Sequence, residues 1–124
     1  MKPKHQPVTP AQREELRHTL EAKKAQLLAA IQEQEDREES EFDAGPGDAA
    51  DMAERLSEAT DRRARADRDV DLLEEVDRAL TRLNDGTYGV SEASGRPISF
   101  ERLRALPWAR FDADEAEHDE RARR

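Results

Sequence analysis

The chain has 124 residues, enough for one domain or for a long hairpin with a small cap. Charged residues make up 41% and hydrophobic ones 35%, with a mean hydropathy of -1.09; this is too polar for a compact sphere and leaves long solvated helices burying a narrow stripe, or disorder. A net charge of -9 argues against duplex DNA and anionic membrane surfaces as partners and suits a cationic protein surface.

No apolar run approaches a bilayer span, and the opening Met-Lys-Pro-Lys-His-Gln-Pro lacks the apolar segment of a signal peptide. The cytoplasm is therefore the expected location. There is no cysteine, which fits any redox compartment.

Residues 1–8 read as a flexible leader. Thr9-Pro10 is a helix start, with a hydroxyl cap and a ring that needs no N–H donor, and Glu14 and Glu15 follow near the positive end of the dipole. Neither glycine nor proline interrupts the chain to Phe42, and Leu16, Leu20, Lys23, Leu27, Ala30 and Ile31 fall on one side. Asp43-Ala44-Gly45-Pro46-Gly47-Asp48 ends that helix. A second helix is expected over 51–84, with Leu56, Ala59, Val70, Leu73, Val76, Leu80 and Leu83 as its stripe. Its middle, 60–69, is nearly bare of large apolar groups, so the pair should pack loosely there. Two such helices predict a rod of about 45 Å.

Asn84-Asp85-Gly86 closes the second helix with a left-handed cap. Gly89, Gly95 and Pro97 then restrict 87–90 and 96–98 to very short strands. Ser99 caps a short helix over 99–105 that stops before Pro107, and 112–124 reads as a charged terminal helix. Tyr88, Phe100, Trp108 and Phe111 gather in the last third, where a small packed core is expected.

Three constellations bear on function. Asp48 and Asp51 put two carboxylates on one face at a helix start; capping alone explains either residue. Arg62, Arg63, Arg65 and Arg68 are interleaved with Asp61, Asp67 and Asp69, the mark of a solvated face rather than a nucleic-acid stripe. His118 lies one turn from Asp114, where a solvated helix explains it better than a metal. No nucleophile–base pair is present, so an enzyme is not expected.

The stretch Asp85-Gly86-Thr87-Tyr88-Gly89, then Ser91, Gly95, Pro97-Ile98, then Arg102-Leu103, Ala105 and Pro107, resembles the zinc-finger signature of the DksA/TraR family. Asp48-x-x-Asp51-x-Ala53 is similar to the acidic coiled-coil tip of that family, and the spacing from Asp51 to Ser91 overlays its pattern without a gap. The resemblance covers most of the chain and departs from the family at the metal. Ser91 and Ser94 stand at the first pair of cysteine positions, Asp112 and Glu115 at the second. Serine is neutral at neutral pH and a poor zinc ligand, and two carboxylates make a weak site, so no structural zinc and no cofactor are expected. The Ser91 or Ser94 hydroxyl bonded to Asp112, with an apolar cluster of Tyr88, Ile98, Phe100, Leu103, Trp108 and Phe111, would replace the metal.

The resemblance implies a mainly α fold: a long antiparallel coiled-coil hairpin over 9–84 with its tip at 43–53, a metal-free finger-like cap over 85–111 and a terminal helix over 112–124. It implies a monomeric regulator that enters the secondary channel of RNA polymerase and modulates initiation, with Asp48, Asp51 and Ala53 near the active centre and no direct contact with DNA or membrane. Arg68 and Arg102 fall at basic positions that contact polymerase or guanosine tetraphosphate (ppGpp) in the family, whose nucleotide-responsive members serve the stringent response. Glu75 stands where those members carry a basic residue, which counts against nucleotide binding. Two alternatives remain from the residues alone: a coiled-coil interaction module without polymerase activity, and a Gre-like factor whose tip carboxylates position Mg²⁺ for transcript cleavage.

Overall fold

Local capping chemistry sets where each helix begins and ends. In a computed structural model that describes residues 6–43 and 47–115, helix α1 runs Pro10–Asp43, α2 Ala49–Asp85 and α3 Phe100–Ala105. His5, His118, tip residues 44–46 and the stretch 116–124 lie outside the described residues; residues 113–115 are helical. At the start of α1 the Gln12 N–H donates to Thr9 Oγ1 (3.1 Å) and the Thr9 N–H to Gln12 Oε1 (2.9 Å), a reciprocal capping box. At the start of α2 the Asp51 N–H donates to Asp48 Oδ1 at 2.8 Å. At its end Gly86 adopts φ 80°, and the Thr87 N–H reaches back to the Arg82 carbonyl at 2.9 Å, a Schellman closure.

The described residues divide into two compact units. One combines Met1–Lys23 with Glu75–Arg124, and the other is Lys24–Glu74. The first has a true core. Leu16 and Leu20 of α1, Val76, Ala79 and Leu83 of α2, and Tyr88, Ile98 and Leu103 of the cap are all buried. Arg17 Nη1 donates to Asn84 Oδ1 at 3.2 Å, fixing the start of α1 against the end of α2, as an antiparallel pair requires.

The cap carries one isolated antiparallel bridge, Val90 to Pro97, flanked by the Ile98 N–H to Gly89 carbonyl and Ser91 N–H to Arg96 carbonyl bonds, both 2.8 Å. Ser99 caps α3 by accepting from the Arg102 N–H, and the Leu106 N–H closes on the Arg102 carbonyl. Phe100, Trp108 and Phe111, expected in the cap core, are only half-buried. Val8, counted with the flexible leader from sequence, is buried; its Cγ2 lies 3.2 Å from where a Cβ on Gly89 would stand.

The second unit is held differently. Leu27 and Gln34 are its buried residues among those described. Beyond Gln34 the helices are joined by charge: Arg62 pairs with Glu41, and Arg63 Nη1 with Glu38 Oε1 at 3.0 Å. The Gln34 amide, and after it the Arg63 guanidinium, hold the Glu38 carboxyl below its usual range. The arginine cluster is thus part seam and part solvated face. Arg62 and Arg65, with Arg37, line an open groove of about 200 Å³ in which Glu33 and Asp69 supply the opposing sign. Leu56 and Val70, expected on the buried stripe of α2, face solvent, because charged side chains take the seam positions here.

Gly86 and Gly89 both have positive φ, but only Gly89 is approached closely. Gly86→Ala should cost about 1 kcal/mol from backbone conformation alone, and Gly89→Ala about 1–3 kcal/mol because the methyl also meets Val8. Urea unfolding followed by Trp108 fluorescence measures both. Equal costs would mean that Val8 does not pack on the cap.

Candidate functional site

The tip is built by the break between α1 and α2. Asp48 is the N-cap: Oδ1 takes the Asp51 N–H and its carbonyl takes the Met52 N–H at 2.9 Å. Asp51, in the first turn of α2, and Ala53 are exposed. A Cβ on Gly47 would collide with Arg55 Nη2 and stand 3.6 Å from Asp51 Cβ, so the Arg55 guanidinium lies against the Gly47 backbone on the Asp51 side. The capping reading of Asp48 is therefore realised, and the same geometry leaves the Asp51 carboxylate outward.

Three of the four former ligand positions, Ser91, Ser94 and Glu115, form a hydrogen-bonded set in the cap. Ser91 is buried, and its hydroxyl donates to Glu115 Oε2 at 2.5 Å. The Ser94 hydroxyl donates to Glu115 Oε1 at 3.1 Å. The same Ser91 oxygen accepts the N–H groups of Ala93 (3.1 Å) and Ser94 (3.4 Å). The hydroxyls thus meet Glu115, whereas Asp112 was the expected acceptor. Asp112 is buried and its Oδ1 accepts the Ala113 N–H at 3.0 Å, which starts the helical residues that bring Glu115 round to the serines.

A zinc ion does not fit this donor set. Both hydroxyls are neutral and already committed to a carboxylate, and no soft ligand is present. Asp112, Asp114 and Glu115 bring carboxylate oxygens within 4.8 Å of one another, yet both Glu115 oxygens are engaged by the serines.

Two ionic ties brace the cap. Glu92 is shared between Arg110 Nε (2.8 Å) and Arg82 Nη1 (3.4 Å), and its N–H donates to the Arg110 carbonyl at 2.9 Å. Sequence reasoning missed this residue, although a single acid between an arginine of α2 and one beyond α3 was its available signal. Tyr88 is buried and donates its hydroxyl to the Pro107 carbonyl at 2.7 Å. Burial raises its phenol pKa well above the usual value, an effect that Arg82 opposes in part.

The remaining basic candidates have separate surroundings. Arg102, in the first unit, donates Nε to the Phe111 carbonyl at 2.8 Å, which makes it partly structural. Arg68 is an exposed residue of the second unit. Glu75 pairs with Arg78 at 3.6 Å. His18, scattered in sequence, pairs with Glu14 at 3.3 Å on the exposed side of α1. None of the described helices is long and apolar enough to cross a membrane.

No family model matches the chain. Among curated proteins it is 54% identical over 46 residues to general stress protein 16O of Bacillus subtilis, covering 37% of this chain and 28% of that protein. It is 43% identical over 79 residues to the RNA polymerase-binding transcription factor DksA of Caulobacter vibrioides, covering 60% of this chain and 55% of that protein. The chain thus spans about half or less of the length of these curated relatives. Among solved structures, transcription factor DksA2 of Pseudomonas aeruginosa is similar at a TM-score of 0.77 and 30% identity, over 92% of this chain and 87% of that one. The regulator Dks of Chlamydia trachomatis shares the fold at a TM-score of 0.55 and 21% identity, over 94% of this chain and 95% of that one.

Two outcomes follow for the cap. Removing the shared acceptor by Glu115→Ala strands the buried Ser91 hydroxyl and should cost about 1–3 kcal/mol, read by urea unfolding; zinc or a chelator should leave wild-type Trp108 emission unchanged. A shift of that emission on adding zinc would contradict the hydroxyl–carboxylate account. For Tyr88, the neutral phenol is the form favoured by folding. Its contribution is full below the pH at which an exposed phenol ionises and is lost as pH rises toward the raised folded value. Since Tyr88 is the chain's single tyrosine, near-ultraviolet absorbance should show phenolate forming only above pH 10.0, the ordinary tyrosine value, and together with unfolding.

Proposed function

The chain belongs to the DksA family, and from that premise we propose that it is a transcription regulator that binds RNA polymerase. The hairpin tip enters the secondary channel, with Asp48, Asp51 and Ala53 approaching the active centre and modulating initiation without doing chemistry. The observation that carries this reading is the asymmetric acid pair at the tip, with Asp48 holding the start of α2 and Asp51 held outward beside it. A net charge of -9 favours entry into a cation-lined tunnel and speeds it through long-range attraction.

The proposed working form is a cytoplasmic monomer whose recognised partner is the polymerase rather than DNA. Arg68 and Arg102 are proposed polymerase contacts, Arg102 through the part of its guanidinium not holding the Phe111 carbonyl. No step is assigned to ppGpp, because Glu75, which pairs with Arg78, stands where the nucleotide-responsive members of the family carry a basic residue.

Asp51→Asn tests the role of the tip. The change is at an exposed position and should alter stability by no more than about 0.5 kcal/mol, while abolishing the effect on initiation in transcription assays with purified polymerase. Altered transcript cleavage instead would assign a Gre-like role. Wild-type protein without any effect on polymerase would leave a coiled-coil adaptor.

A further inference from the structure

We propose that Phe42, Met52 and Leu56 form an apolar contact surface at the tip that seats in an apolar, basic-walled recess of RNA polymerase; this rests on the polymerase-binding reading above. Phe42, in the last turn of α1, is 88% exposed, while Met52 and Leu56, in the first two turns of α2, are 49% and 69% exposed. Met52 and Leu56 are four residues apart and share one face of α2, in line with the Asp48 cap four residues earlier.

The seam has no use for these side chains. Beyond Gln34 it is joined by Arg62 to Glu41 and Arg63 to Glu38, so the apolar groups on either side of those pairs are turned out to water. A single exposed leucine is ordinary; three large apolar side chains exposed in the turns that flank the tip are more than scattered exposure accounts for.

The surrounding charge selects what covers it. Between Asp48 and Glu58, Asp48, Asp51, Glu54 and Glu58 face one basic residue, Arg55. Such an acidic segment repels a second copy of the same tip, nucleic acid and anionic lipid, and attracts a recess with lysine or arginine walls. The carboxylates would then set approach and register, and the apolar trio would supply contact that salt does not screen.

Full-length protein carrying Phe42→Ser with Leu56→Ser tests this against purified polymerase, with Phe42→Leu with Leu56→Met as an apolar control and circular dichroism to confirm helix content. The Ser pair should weaken binding about tenfold to a hundredfold, equally at low and high salt, while the control keeps most of the affinity. Met52→Gln gives a second, single-site readout in the same direction, expected at about tenfold. Wild-type binding that all of these folded variants retain would overturn the inference and leave the polymerase reading intact. No binding by wild type would overturn both. Concentration-dependent dimers of wild type, lost in the Ser pair, would assign the surface to a second copy and also overturn it.

Discussion

One buried hydroxyl organises the cap. The Ser91 hydroxyl donates a hydrogen bond to Glu115 and accepts two backbone N–H groups on the same oxygen, so a single atom closes the loop after Tyr88 and ties it to the segment beyond Phe111. A thiolate–zinc centre would do this with four charges around a cation. Here the serines meet a single carboxylate, that of Glu115, and both donors are neutral. Two charge-assisted bonds at about 1.5–3 kcal/mol each fall short of the roughly 10–16 kcal/mol of structural zinc, so they cannot hold a cap by themselves. The remainder comes from apolar burial, with Tyr88, Ile98 and Leu103 in one core with Leu83 and Val76 of α2 and Leu16 and Leu20 of α1. The cap is built as part of the helix-pair core, which a self-sufficient metal-nucleated finger need not be.

Most of the backbone plan was legible in the sequence because it is written in residues with few conformational options. Thr9-Pro10, Asn84-Asp85-Gly86 and Ser99 each mark a helix end where the structure places one; of Asp48 and Asp51, either of which could cap from sequence, the structure uses Asp48, and α2 begins at Ala49 rather than at 51. The side-chain pairing was less legible. A stripe at helical spacing says which residues share a face and is silent on what the facing helix offers. Leu83, Val76 and Ala79 meet a core; Leu56 and Val70 lie in the unit whose seam is charged, and so turn outward. Glu115 rather than Asp112 meets the serines for a similar reason. That choice depends on the turn that starts at Asp112, where the Ala113 N–H bond precedes the helical residues carrying Glu115, and spacing alone does not fix it.

The two units also differ in how their stability responds to solution conditions. The core of the first is apolar and nearly indifferent to salt. The second relies on Arg62–Glu41 and Arg63–Glu38, of which the latter pair is well exposed; such pairs add little and are screened by ions. A hairpin end held this way opens at little cost, and its definition comes mainly from the cap at Asp48.

That dependence gives the two tip acids unequal roles. The Asp48 carboxylate is engaged by the Asp51 N–H, so it fixes the first turn of α2 and with it the direction in which Asp51 points. Asp51 has no such structural duty and carries a charge in a defined direction at the surface. Exchanging the two roles would require the helix to begin three residues later. The Asp-x-x-Asp spacing is therefore explained by geometry: the first acid starts the helix, and the second, one turn in, is the one presented.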